Sequence, residues 1–172
     1  MNTTLEDDMA RLALQEEQLQ FDSFSADVAW QLGMHLKEAV EARGKAAAIE
    51  IQLTDFPLFF YAMPGTTPDN GDWIRRKRNV VQRFHRSSYA MRMELRKKGT
   101  TLTEQSGLSL RDHATAGGGF PILLRGMGCI GTIAVSGLPM RDDHNIIVEV
   151  LANWLNRSLS ELALGPADDM DD

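Results

Sequence analysis

The chain carries one cysteine in 172 residues, and its four histidines are scattered with no charge-free run of membrane-spanning length. Each absence removes a class of function. A lone Cys129 excludes an intramolecular disulfide, and its setting in an apolar strand pattern reads as a buried, inert thiol. Short apolar stretches leave no membrane-spanning helix. Residues 1–8 have neither a basic start nor an apolar block, so a cytoplasmic protein without membrane attachment is expected. His35, His85, His113 and His144 lack paired ligand spacing, which argues against a structural metal. Haem needs only one or two axial ligands and an apolar slot, so spacing leaves it open.

An apolar content of 43% is enough to bury a core in a single domain. The net charge is −6, yet ten of the eighteen Lys and Arg lie between Arg75 and Lys98, opposed there only by Glu94. An acidic total disfavours indiscriminate binding to duplex nucleic acid or anionic membrane, while the basic middle still permits a small anionic ligand, an RNA segment or an acidic partner surface. The alternative is a solvated helix face.

Hydrophobic spacing orders the chain. Met9, Leu12 and Leu19 form a thin helical stripe, read as an amino-terminal arm over 1–20. A Ser23 or Ser25 cap opens a second helix bearing Phe24, Val28, Leu32, Leu36 and Val40, with Gly44 after its end. In 46–53, Ala47, Ile49, Ile51 and Leu53 alternate with Glu50 and Gln52, the pattern of a half-buried strand. A turn at 55–57 leads to a second strand over 58–63. One long basic helix is expected over 72–98 on the stripe Val80, Phe84, Met91 and Leu95. Thr101 and Glu104 have capping-box spacing, and a brief strand is expected within 108–116. Segments 120–124 and 129–135 form a second hairpin, and Asp142 or Asp143 caps a last helix running toward Gly165. The order predicts an α+β sandwich: a five-stranded, mainly antiparallel sheet flanked by helices.

Candidate sites follow from residue chemistry. Gly117, Gly118 and Gly119 make either a tight turn or a backbone contact to an anion, without the Lys and Ser or Thr of a phosphate loop. Trp73, Arg76, Lys77 and Asn79 open the basic helix, where the dipole and a guanidinium fork favour an anion. Against this, Trp73 anchors the helix start and the basic residues face solvent or a neighbouring subunit. Ser136 and His144 invite a nucleophile reading, but the glycine two places before the serine that a nucleophile elbow needs is missing. No general base, nucleophile and charge stabiliser can be named together, so an enzyme is the weaker reading.

Three segments carry a family resemblance: Trp73-Ile74-Arg75-Arg76-Lys77-Arg78-Asn79, Gly118-Gly119-Phe120-Pro121-Ile122, and the run from Gly131 to Pro139 followed by Asp143-His144. Together they resemble the HbpS-like and GlcG-like, or haem-degrading-domain, family, in its uncharacterised-protein-family (UPF) branch. The resemblance spans roughly 20–159. It implies a profilin-like or PAS-like sheet and homo-oligomers, from dimers to rings or cages. It also implies haem binding, redox sensing, or a role as a domain appended to corrinoid adenosyltransferases. Lys77, Gly118, Gly119, Pro121, Ser136 and Gly137 match the shared pattern. No family haem ligand falls on a matching residue, and Thr115-Ala116-Gly117 departs from the histidine-containing form of relatives.

The expectation is an HbpS-like domain over 21–164 with an acidic, disordered tail over 165–172. It would be a homo-oligomeric binding protein holding haem or another small anion through Arg76, Lys77, Asn79, Gly118, Gly119 and Ser136. The alternatives are a ligand-free scaffold or adaptor, or an enzyme acting on haem or a small organic acid.

Overall fold

The computed structural model describes residues 4–166, so the acidic stretch beyond Pro166 lies outside the described residues. The chain runs α1 (Leu5–Gln18), β1 (Gln20–Phe21), α2 (Ala26–Ala42), β2 (Ala48–Leu53), β3 (Phe56–Ala62), α3 (Pro68–Phe84), α4 (Ser88–Lys98) and α5 (Leu102–Ser106). It continues through β4 (Gly119–Leu124), β5 (Gly128–Ser136), α6 (Met140–Trp154) and α7 (Leu159–Leu162). The strands form one α+β sheet in the order β1-β4-β5-β2-β3, antiparallel except where two-residue β1 pairs parallel with β4.

The two faces of the sheet differ in chemistry. Ile49 and Ile51 on β2 stand opposite Val135 and Ile133 on β5, and this face packs beneath Leu32 and Leu36 of α2 and Ile146 and Ile147 of α6. A fully buried Leu or Ile of this kind contributes about 1.5–3 kcal/mol. The other face pairs Ala48, Glu50 and Gln52 with Ser136, Ala134 and Thr132. Its alternation predicts a half-buried strand, but β2 is covered on both sides because α3 lies across the polar face. Ile74 packs on Ala48 and Ala134, and Arg78 Nη1 donates to Glu50 Oε1 at 2.6 Å.

Local chemistry explains where the helices begin. Ser25 caps α2 by accepting from Val28 N–H, and Thr101 with Glu104 forms the capping box of α5. The expected helix over 72–98 is instead two. It starts earlier, at Pro68, and breaks after Phe84, where His85 takes the left-handed conformation and Ser87 caps α4 through Ala90 N–H. The stripe survives the break, since Val80, Met91 and Leu95 share one cluster with Phe84 packed against it. No strand forms between 108 and 116. The second strand begins at Phe56, after a turn with Asp55 at φ 55°. Helix α6 is capped at Pro139, not at Asp142 or Asp143, and ends at Trp154 before the separate α7.

Helix α1 buries Asp8, Leu12 and Gln15 and packs on α4 and α7. Arg141 grips Asp8 with both terminal guanidinium nitrogens, Nη1 to Oδ2 at 2.7 Å and Nη2 to Oδ1 at 2.8 Å. It also donates to Tyr89 Oη and to the Gly165 carbonyl. Arg11 donates to the carbonyls of Ser160, Glu161 and Ala163 at the end of α7. Removing one partner from a buried bidentate pair leaves the other charge uncompensated. Asp8→Ala is therefore expected to lower stability by about 3 kcal/mol, seen as a lower urea midpoint with an unchanged slope.

Candidate functional site

The starts of α3 and α6 converge at the end of β5, around a cleft of about 310 Å³. Asp69, Asn70 and Trp73 line it from α3, Ser136 and Leu138 from the end of β5, and Met140 from α6. Lys77 and Asp143 form its floor, both about 3% exposed, with Nζ 3.1 Å from Oδ2.

Lys77 can cross the layer because the polar sheet face offers small neighbours and a carbonyl. Its Nζ donates to Val135 O at 2.9 Å as well as to Asp143. The Asp143 carboxylate also accepts from Leu138 N–H at 2.9 Å and, at 3.4 Å, from Gly137 N–H. Burial pushes the Lys77 ammonium below its ordinary value, and the Asp143 charge opposes that shift. Burial likewise raises the Asp143 carboxyl, against the pull of Lys77 and the two backbone donors. Because α3 begins at Pro68, Lys77 is its tenth residue and lies beyond the field of the helix start, and the anion it meets is supplied by the protein itself.

The glycine run is built around the same lysine. Gly118 has φ 113°, and a Cβ there would lie 2.4 Å from Val135 O and 2.8 Å from Lys77 Nζ. A Cβ on Gly119 would crowd Ser88 Oγ, Val81 and Lys77 Cβ at 3.1–3.2 Å. Close packing of these backbones over Lys77 accounts for both glycines.

The six residues singled out in the sequence divide into two groups. Lys77 and Ser136 meet at the cleft, with Gly118 and Gly119 wrapped about Lys77. Ser136 holds Asn70 through its carbonyl, which accepts from Asn70 Nδ2 at 3.2 Å. Arg76 and Asn79 instead face the loop of residues 109–114. Arg76 stacks on Trp73 at 4.4 Å and donates twice to Leu110 O, and Asn79 donates to Asp112 O. The neighbouring cations also pair within the chain, Arg75 with Asp72 and Asp112, and Arg78 with Glu50.

Ser136 and His144 do not form a catalytic pair. His144 is wholly buried, and its Nε2 lies 2.8 Å from Gln15 Oε1, whose amide nitrogen in turn donates to Leu162 O. That chain places the imidazole proton on Nε2. Burial, and then the nearby Arg141 charge, push His144 down to about 3. His144 is a core residue and not a catalytic base. Cys129 is only partly buried, and burial raises its thiol, so thiolate chemistry is disfavoured. Among the described residues no three His, Cys, Asp or Glu side chains gather to hold a metal ion. No described helix is long and apolar enough to cross a membrane.

Sequence reasoning missed Asp143 as the partner of Lys77 and Asp8 as the partner of Arg141. Sixty-six residues separate the first pair and 133 the second, and neither leaves a local spacing to read.

A family model described as "Haem degrading protein HbpS-like" matches residues 24–152. The chain belongs to the HbpS-like family. A UPF0303 protein of Azotobacter vinelandii is 60% identical over 93% of this chain and 96% of its own length. Among solved structures, the Ybr137w protein is 28% identical, with a TM-score of 0.77 over 86% of this chain and 87% of that one. The PduOC:heme complex is 16% identical, with a TM-score of 0.63 over 85% and 99%, a likeness of fold. The HbpS-like sheet anticipated from the three sequence segments is therefore the one found.

Two expectations follow. Lys77→Met strands the Asp143 carboxylate and is expected to cost about 3–5 kcal/mol, much of it recovered in Lys77→Met with Asp143→Leu. A denaturation double-mutant cycle measures that coupling. For His144, the unfolded imidazole binds protons at pH values where the folded one does not. Stability is therefore fully present above about 6.5 and falls as pH drops toward 3. The limiting slope is about 1.4 kcal/mol per pH unit, and His144→Gln removes that component from denaturation curves taken across the window.

Proposed function

We propose that the protein is a homo-oligomeric small-molecule-binding member of the HbpS-like family, with its ligand over the Lys77–Asp143 pair. The observation that carries this reading is a desolvated charge pair at the floor of a cleft walled by Trp73, Ser136 and Met140. Perturbed titratable groups beside apolar walls and a few convergent polar atoms are the usual signature of a ligand site.

Haem is the ligand favoured by the family description and by the fold shared with a haem-complexed domain. The cleft of one chain does not fit it. Asp69 and Asp143 set two carboxylates against the single Lys77 ammonium, where a haem would bring two propionates. Met140 is the one sulfur-bearing side chain on its wall. A haem reading therefore draws on cations of a second copy, while a smaller polar molecule suits the cleft of one chain.

A second copy has a place to dock. Strand β3 is a sheet edge, Phe56–Ala62 contains no charge, and Phe56 is 63% and Phe60 53% exposed, with Trp30 at 61% on α2 beside Phe59. Long apolar edges left open invite pairing with another chain.

Haemin titration of the native assembly, with its mass measured by light scattering, tests the haem reading. A saturable Soret shift at one haem per dimer supports haem, and Trp73→Ala is expected to weaken it about tenfold or more. An unchanged spectrum at micromolar haemin rejects haem and leaves a colourless ligand, to be sought by native mass spectrometry. Phe56→Asp with Phe60→Asp is expected to yield a folded monomer; an assembly of unchanged mass rejects β3 as the interface.

A further inference from the structure

The basic residues of the middle segment serve two separate purposes, and the second accounts for residues the cleft does not use. On α3, Arg75, Arg76 and Asn79 are consumed in holding residues 109–114. Arg75 donates to Arg111 O and to the Asp112 carboxylate, Arg76 donates to Leu110 O, and Asn79 donates to Asp112 O. The Ala114 N–H returns a bond to Arg76 O. This fixes the loop as a wall facing α4, and between the two lies a groove of about 300 Å³.

The groove is lined by Arg92, Leu95 and Arg96 of α4, by Leu102 of α5, by Leu110 of the pinned loop and by Thr115 just after it. Arg92 and Arg96 stand one helical turn apart on the same face of α4. Glu94, the one acidic residue of that helix, is turned away and held by Arg86 and Lys98. Arg86 is further occupied by Glu16. Glu104, at the start of α5, is spent on the capping box with Thr100 and Thr101. Arg92 is half-buried and has no hydrogen bond or ion pair with any other described residue. A guanidinium withdrawn partly from water has five donors to satisfy and is matched by a planar, two-oxygen acceptor. Beside it Leu95 and Leu102 are buried and Leu110 is 57% exposed, so the surface next to the cation is apolar.

We propose that this groove is a second binding site, distinct from the Lys77 cleft, for a small carboxylate carrying an aliphatic body. The carboxylate lies against Arg92, with Thr115 on the facing wall. The aliphatic body covers Leu95, Leu102 and Leu110. Inorganic phosphate satisfies the cation but not the leucines, and an alkylamine satisfies the leucines but not the cation.

Isothermal titration of the full chain with hexanoate tests the site, with inorganic phosphate and hexylamine as comparison probes. Saturable hexanoate binding is expected, weakened about tenfold or more in Arg92→Gln and partly retained in Arg92→Lys, while hexylamine gives no heat. Amide chemical shifts of Leu95, Leu102, Leu110 and Thr115 are expected to move with hexanoate while those around Ser136 stay fixed. The thermal midpoint of each variant, compared with that of the parent, reports whether it folds, and Leu110→Ser on the exposed wall gives an independent second variant. Equal affinity in the parent and Arg92→Gln overturns the site. Phosphate binding as tightly as hexanoate overturns the aliphatic class, and shifts confined to the Ser136 region overturn the location. Failure of haemin to bind leaves this site standing, since no residue is shared between the two.

Discussion

The structure depends on one ammonium group buried between a helix and a sheet. Lys77 reaches across the polar face of β5 to Asp143 at the start of α6, tying α3 to two consecutive elements whose contact residues lie 58 and 66 positions further along the chain. A buried pair of this kind contributes little net energy against an apolar alternative, because removing both charges from water costs several kcal/mol per ion. Its effect is to fix position. Asp143 can be satisfied only where Lys77, Leu138 N–H and Gly137 N–H all point at it, so the seating of α3 and the entry into α6 are set together. The glycines at 118 and 119 follow, since any larger residue would push the covering backbone away from Lys77.

Elsewhere the same logic recurs with different residues. Arg141 plays on α6 the part that Lys77 plays on α3, drawing α1 against the body through Asp8, while Gln15 and His144 close the chain of bonds toward Leu162. The apolar core on the opposite face of the sheet supplies the bulk of the hydrophobic stabilisation and imposes few directional demands. The polar side is where orientation is decided, and the candidate cleft lies there because unlike groups already converge.

Much of the architecture was legible in the sequence. The stripe of α2, both hairpins, the Ser25 cap and the Thr101–Glu104 box are local patterns, and local patterns survive folding. The reading failed where a local signal had two meanings. Glu50 and Gln52 alternating with Ile49 and Ile51 imply solvent on one side, unless the covering helix is itself basic, as α3 is. Val80 to Leu95 keeps helical spacing across a break, because the left-handed His85 shifts the axis without losing the apolar cluster. The candidate site was half visible. Lys77 and Ser136 line one cleft, but Arg76 and Asn79 in the same run point elsewhere, and a basic heptapeptide does not reveal which of its cations will find carboxylates.

The grip on residues 109–114 falls largely on main-chain carbonyls: Leu110 O, Arg111 O and Asp112 O accept from α3, and the Asp112 carboxylate is the one loop side chain held from that helix. A carbonyl is the same in every amino acid. The path of this segment is therefore largely independent of the identity of its side chains, so Leu110 and Arg111 can be exchanged over evolutionary time without redrawing the surface. Selection is left free to alter what that surface recognises while the scaffold beneath it stays constant.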